Sequence, residues 1–371
     1  LHVKLPSGAA AAIGPPGAPC AARLAIKSYG AIWQMLRGGS LGFAEAYMSG
    51  EIEIDDLKAL FEFYIANERS LTARLPALAV SRRRDRISHR ARRNTLAGSR
   101  RNIAAHYDLG NEFYGLWLDA TMSYSSAIYA EPDMSLEEAQ RTKIERILST
   151  LELRRDDRLL EIGCGWGALA EAVANAGAKV DAITISGHQL AAARERIAAA
   201  GLDECVEIRF EDYRQTTKTY DRLVSIEMIE AVGEDNWPRY FATIADRLAP
   251  GGVGVVQAIT IRESAFEDYR RNPDFIQRYI FPGGMLPTVE LMRRRAAEAG
   301  LAFEIVERFG ASYARTLSEW RSRFEAAWPR IAGLGFDERF RRMWLYYLIY
   351  CEVGFEQGMI DVGLYRLRKA G

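Results

Sequence analysis

The run Arg158-Leu159-Leu160-Glu161-Ile162-Gly163-Cys164-Gly165-Trp166-Gly167-Ala168-Leu169 decides the fold. Its first five residues read as a short apolar strand, and Leu169 to Ala176 reads as a helix. Between them lie three glycines at alternating positions. Glycine lets a backbone approach a ligand closely and leaves helix N-terminal N–H groups free to meet it. The spacing is GxGxG with an acid, Glu161, two residues before the first glycine, and not the GxGxxG of dinucleotide loops. The strand–turn–helix pattern then repeats. Lys179 to Ile185, Val206 to Phe210, Tyr220 to Ile226 and Gly251 to Ile261 read as strands, with helices at Gln189 to Ala200 and Trp237 to Leu248. Alternation of this kind predicts an α/β fold with a doubly wound parallel sheet.

Upstream the reading changes. Leu1 to Ile13 predicts a hairpin turning at Pro6-Ser7-Gly8. Helical patterns follow at Ile32 to Leu36 and from Leu41 to Ala66, with Asp55 and Asp56 as caps before the stripe Leu57, Leu60, Phe61, Tyr64. Nine arginines then crowd Arg82 to Arg101 against one acid, Asp85. The expected division is a small, mostly helical N-terminal domain over residues 1–80, an arginine-rich linker over 81–102 and a catalytic domain over 103–371. The linker is either a solvated charged segment or a patch for phosphate groups of a membrane surface.

Composition narrows the class. In 371 residues, Lys plus Arg and Asp plus Glu are both 49, so the formal net charge is zero. A nucleic-acid protein would usually be basic, and a disordered one more charged and less apolar. Four cysteines and four histidines are scattered without CxxC or HxxxH pairs, so neither a disulfide framework nor a metal site is expected. No transmembrane run or signal peptide is visible, which predicts a cytoplasmic protein.

The glycine loop resembles that of S-adenosylmethionine (SAM)-dependent methyltransferases. A wider resemblance rests on His106-Tyr107-Asp108-Leu109-Gly110-Asn111-Glu112-Phe113-Tyr114, Met122 to Ala127, Ser225-Ile226-Glu227-Met228-Ile229-Glu230, Tyr279 to Pro287, Phe309 to Tyr313 and Cys351 to Phe355. These segments are similar to the cyclopropane-fatty-acyl-phospholipid synthase family. The resemblance implies a class I methyltransferase fold, a lipid-facing insertion between about Arg262 and Thr288, and SAM as cofactor. Matched positions for the cofactor are Tyr124, Ser125, Glu161, Gly163, Gly165, Gly167, Thr184, Ser186, Gln189, Asp212 and Tyr213.

In that family a methyl group is added to a cis double bond of a phospholipid acyl chain, and a bound bicarbonate removes a proton to close the ring. Its ligands map to Glu230, Tyr313, Ser126, Gln257 and the backbone of Ile259. Ser126 stands where the family has cysteine, and Gln257 where it has histidine. Both still hydrogen-bond an anion, so bicarbonate is implied beside SAM, but glutamine cannot relay a proton. Without that relay the same cation would give a methyl-branched or methylated unsaturated chain. A non-catalytic lipid-binding homologue is the remaining alternative. Tyr279, Phe281, Trp320, Trp328, Trp344, Tyr346 and Tyr347 are candidates for the acyl tunnel, two or three of them lining it. The expected partners are an unsaturated phospholipid, a transient peripheral contact with the inner face of a membrane and, from longer family members, a second copy of the chain. Nucleic acid is not among them.

Overall fold

The computed structural model describes residues 1–14, 21–74, 94–96, 98–99, 102 and 109–371. Every arginine of the Arg82 to Arg101 run, and His106 to Asp108, lie outside the described residues. The hairpin forms from β1 (His2–Lys4) and β2 (Ala10–Ala12). Two further strands, β3 (Arg23–Ile26) and β4 (Ile52–Ile54), extend it to a sheet of order β2-β1-β3-β4. Between them runs α1 (Tyr29–Met48), capped by Ser28 and kinked at Gly39. The helix expected from Leu41 to Ala66 is two helices. Gly50 turns the chain at φ +75°, and Ile52-Glu53-Ile54 alternates with the strand period before α2 (Leu57–Arg74) begins. Asp56 caps α2 by accepting the Ala59 N–H at 2.9 Å.

The remainder winds around a second sheet. After α3 (Asn111–Gly115) and α4 (Leu136–Leu151) come β5 (Arg158–Ile162), α5 (Ala168–Asn175), β6 (Lys179–Thr184), α6 (Gly187–Ala199) and β7 (Val206–Phe210). The chain crosses back to β8 (Tyr220–Ile226), then α7 (Ile229–Val232), α8 (Trp237–Arg247) and β9 (Leu248–Ile261). The insertion follows as α9 (Glu263–Arg271), a π-helical turn Ile276–Ile280 and a loop. Last come α10 (Val289–Glu298), β10 (Leu301–Arg308), α11 (Gly310–Gly333), α12 (Glu338–Glu356) and β11 (Ile360–Lys369).

Strand order is β10-β11-β9-β8-β5-β6-β7, with β11 antiparallel to both neighbours and β5 to β9 mutually parallel. Successive strand residues feed opposite cores. Leu159, Val180, Ile208 and Val224 face one side, Leu160, Ile162, Ile183 and Leu223 the other. The order of winding reverses between β5 and β8, so a crevice opens at their carboxyl ends, where ligands bind in folds of this kind. The N-terminal unit rests on α12, with the Phe61 ring edge-on to Tyr346 at 5.0 Å and the Lys58 ammonium 2.7 Å from Glu352. Among the described residues no helix is long and apolar enough to cross a membrane.

Candidate active site

The glycine loop leaves β5 and enters α5 at the switch point. Gly163 and Cys164 both donate their N–H to the Ile183 carbonyl at 3.0 Å, which bends the chain sharply over β6. Gly163, Gly165 and Gly167 adopt φ of +84°, +52° and +86°, values L side chains rarely take. They differ in what surrounds them. A Cβ on Gly163 would lie 3.2 Å from Met228, and one on Gly167 3.2 Å from Ala193, whereas Gly165 faces open space. That space is a cavity lined by Gly163, Gly165, Thr184, Gln189, Asp212 and Glu227 among others. Gly167 caps α5 behind it and does not line it.

Glu161 is buried, and its Oε2 meets no partner among the described residues. Burial pushes its carboxyl up to about 8. An orphaned carboxyl at a cavity wall fits a cationic ligand, and SAM carries both an ammonium and a sulfonium. The open cradle at Gly165 fits the same conclusion. Thr184 donates to the Gln189 amide oxygen at 2.9 Å, which fixes both at the cavity edge. Ser186, expected as a cofactor contact, is instead the N-cap of α6, accepting from Gln189, and does not line the cavity. The Asp212 carboxylate is held in a two-pronged pair by Arg214, at 2.8 and 2.7 Å. Arg214 also donates to the Asn94 carbonyl and the Ser99 hydroxyl, so Ser99 is brought to the cavity as well. Tyr213 lines it too, its buried phenol pushed up to about 12. Asp181 belongs elsewhere, accepting from Arg209, Lys218 and Tyr220.

Deeper in, the matched catalytic residues converge on a carboxylate that was not among them. Glu227 ends β8 at φ +47°. Its Oε1 accepts the Ser126 N–H at 2.9 Å and the Gln257 amide at 2.7 Å, and its Oε2 accepts the Tyr313 hydroxyl at 2.7 Å. Burial raises its pKa, while these three donors and the Lys143 charge pull the other way. The role expected of the Ser126 side chain falls to its backbone, because its hydroxyl donates to the Ala127 carbonyl at 2.9 Å. Glu230 itself takes the Ile259 N–H at 2.6 Å, the donor expected to face the anion, and its Oε2 has no partner among the described residues. Burial, then the Glu227 charge, pushes Glu230 up to about 8.

This arrangement does not fit bicarbonate. Every assigned donor is already engaged, Gln257, Tyr313 and the Ile259 N–H by protein carboxyl groups and the Ser126 hydroxyl by the Ala127 carbonyl, and an added anion would face the Glu227 carboxylate.

Two further groups escaped the sequence reading. Lys143 on α4 is buried and donates to Ser125 at 2.8 Å; burial pulls its ammonium down to about 8. Glu227 itself was visible only as part of a matched segment. The available signal was the pair Glu227 and Glu230, two acids three residues apart just past the end of an apolar buried strand.

Aromatic rings enclose this end of the site. Tyr124 packs on Trp320 at 5.3 Å and near Phe281 at 6.5 Å, and its hydroxyl meets that of Tyr347 at 2.9 Å. Tyr313 stacks on Phe355 at 4.5 Å. Ring faces of this kind stabilise a cation in a dry setting. Of the other tunnel candidates, Tyr346 joins Phe61 and Phe275 at the N-terminal unit, and Trp344 and Trp328 pack with Phe324. The insertion closes over the site through Met285, whose N–H reaches the Glu230 carbonyl at 2.8 Å, and Tyr279 bonds Glu45 of α1 at 2.7 Å.

The family model described as mycolic acid cyclopropane synthetase matches residues 95–364. The chain belongs to that family. The tuberculostearic acid methyltransferase UfaA1 of Mycobacterium tuberculosis is 39% identical over 347 residues, 90% of this chain and 80% of its own length. The cyclopropane-fatty-acyl-phospholipid synthase of Escherichia coli K12 is 38% identical over 328 residues, 87% of this chain and 81% of its own. The crystal structure of mycolic acid cyclopropane synthase CmaA1, complexed with SAH and CTAB, is 30% identical. It superposes with a TM-score of 0.68 and covers 73% of this chain and 98% of that one. This family member has the class I methyltransferase fold with a helical N-terminal region and is a SAM-dependent lipid methyltransferase.

Proposed function

We propose that this methyltransferase adds a methyl group to the cis double bond of an unsaturated acyl chain carried on a membrane phospholipid, with ring closure to a cyclopropane. The observation that carries the reading is the join between two environments. Glu227 lines the cofactor cavity at the switch point and accepts from Tyr313, whose ring packs on Trp320 at 6.1 Å, and Trp320 in turn on Tyr124 at 5.3 Å. An alkene is a weak nucleophile and its methylation leaves a carbocation, which needs ring faces, a dry wall and a base close by. SAM supplies the electrophilic methyl group and leaves as S-adenosylhomocysteine. Glu161 and the Gly165 cradle would hold it.

A second reading, an open-chain methylated product, is favoured by one observation. Gln257 spends its amide on Glu227 and holds no proton to relay. The relative named tuberculostearic acid methyltransferase is in keeping with that outcome. Incubating the purified chain with SAM and monounsaturated phospholipid vesicles, then reading the lipid by proton NMR, separates them. Cyclopropane protons resonate at unusually high field; vinylic or branched-methyl signals without them leave the second reading standing alone.

The membrane contact is proposed for α1. Tyr29, Trp33 and Leu36 are exposed at one-turn spacings, and Arg37 lies over the Trp33 ring at 5.4 Å. Aromatic groups beside a cation suit a headgroup interface. Trp33→Glu is expected to weaken sedimentation with anionic vesicles severalfold, while reversing Arg82, Arg83 and Arg84 reports on the arginine run.

A further inference from the structure

We propose that Glu227 is the resident proton acceptor of this enzyme, so that the reaction needs no bicarbonate. The inference rests on the methylation reading above. Glu227 lines the cofactor cavity, while Glu230 does not, so Glu227 is the carboxylate at the reacting end. Three donors from three separate segments hold it: Ser126 before α4, Gln257 on β9 and Tyr313 on α11. An ordinary glutamate would not need such a frame, nor a φ of +47° at a strand end. Of the roughly four acceptor sites of a carboxylate, two at Oε1 and one at Oε2 are taken, which leaves one at Oε2 to accept a proton. Burial among aromatic rings makes it a stronger base than a solvated one.

The step balances without another reagent. Once one alkene carbon has gained its methyl group, the adjacent carbon carries the positive charge. A neighbouring C–H bond breaks, and its electron pair fills the empty orbital. The proton passes to a Glu227 oxygen and later leaves to solvent. Loss from the new methyl group closes the ring; loss from the chain restores a double bond.

The positive φ also supplies the test, because glycine is relaxed there. Glu227→Gly removes the carboxylate and frees the three donors for an external anion. Glu227→Gln removes the base but keeps the space filled. Wild type and both variants are assayed as full chains with SAM and monounsaturated phosphatidylglycerol vesicles, in bicarbonate-free buffer and again with bicarbonate or formate added. S-adenosylhomocysteine release is the readout, and SAM binding by calorimetry confirms that each variant is folded. Wild type is expected to change by less than about twofold on adding bicarbonate, and both variants to fall by about 100-fold without it. Bicarbonate or formate then restores Glu227→Gly by about tenfold or more and leaves Glu227→Gln inactive, a contrast that a structural role for Glu227 would not produce. Wild-type turnover that collapses without bicarbonate, or full activity in Glu227→Gln, overturns this proposal alone. A wild-type chain that binds SAM but releases no product from these vesicles overturns the methylation reading and this one with it.

Discussion

A methyl group on Gly165 would point into the cofactor cavity from a backbone at φ +52°. Two costs combine there: left-handed strain of about 1–2 kcal/mol for an L-residue, and lost ligand space. Gly165→Ala is therefore expected to weaken SAM binding by about tenfold or more, measured by calorimetry, with a much smaller change in melting temperature. Gly167→Ala is expected to do the reverse, since its Cβ meets Ala193 and not the cavity. Glu161 gives a second prediction. With its carboxyl pushed up to about 8, it is largely protonated at neutral pH in the free enzyme. A cationic ligand favours the ionised form, so SAM binding releases a proton and tightens as pH rises from 6 to about 8. Calorimetry in buffers of different ionisation enthalpy measures that proton directly. In Glu161→Gln the proton release should vanish and affinity should fall; a wild-type affinity flat across this range would contradict the assignment.

Elements differ in how much of themselves they show in sequence. The glycine loop and the strands of the parallel sheet were legible, because buried strands flanked by glycine turns and helices carry a local signal. The N-terminal hairpin was legible from its turn, but the sheet it joins was not: β3 and β4 have four and three residues, too short to stand out beside the helical stripes around them. The last two strands were missed for another reason, since β11 pairs with β10 across two long intervening helices and with β9 from still farther along the chain. The residues matched to the family's anion site were legible one by one, while the carboxylate on which three of them converge was not. Ser126, Gln257 and Tyr313 meet at Glu227 through three elements far apart in the chain. The contact between α2 and the helix pair α11–α12 is also long-range and yields a prediction. Glu352 is buried and pairs with Lys58 at 2.7 Å and Arg321 at 3.1 Å. Both cations are partly solvated, which limits what each pair contributes. Glu352→Gln weakens two charge-assisted bonds and is expected to cost about 1–3 kcal/mol by urea unfolding. Lys58→Met should cost less, because Arg321 still pairs the carboxylate. Equal losses would show that the α2 contact is the larger of the two.

For the whole molecule, a formal net charge of zero says little about pH, because a few buried groups set the response. Glu161 and Glu230 have their carboxyls pushed up to about 8 from an ordinary 4.5. Between those two values the folded chain keeps protons that the unfolded chain has lost, so stability falls as pH rises through the window. Lys143 acts with the opposite sign. Its ammonium is pulled down to about 8 from 10.5, so above 8 the unfolded chain holds a proton that the fold does not, and stability rises with pH. The rise is cut short near 9, where the buried thiols of Cys164 and Cys351, held protonated by the fold, begin to act like the two glutamates. Below 4.5 the carboxylates held low in the fold, Glu137 by Arg323 and Asp181 by the Tyr220 hydroxyl, Arg209 and Lys218, are protonated and lose those partners. The melting temperature of the SAM-free chain should therefore peak near pH 5 and reach a shallow trough near pH 8. Differential scanning fluorimetry across pH 4 to 9 measures the curve. Glu161→Gln combined with Glu230→Gln should flatten the descending limb, and Lys143→Met should remove the recovery beyond the trough. A wild-type profile that stays flat from pH 5 to 8 would mean that the two glutamates are ionised in the fold, and no recovery beyond pH 8 would mean that Lys143 stays charged.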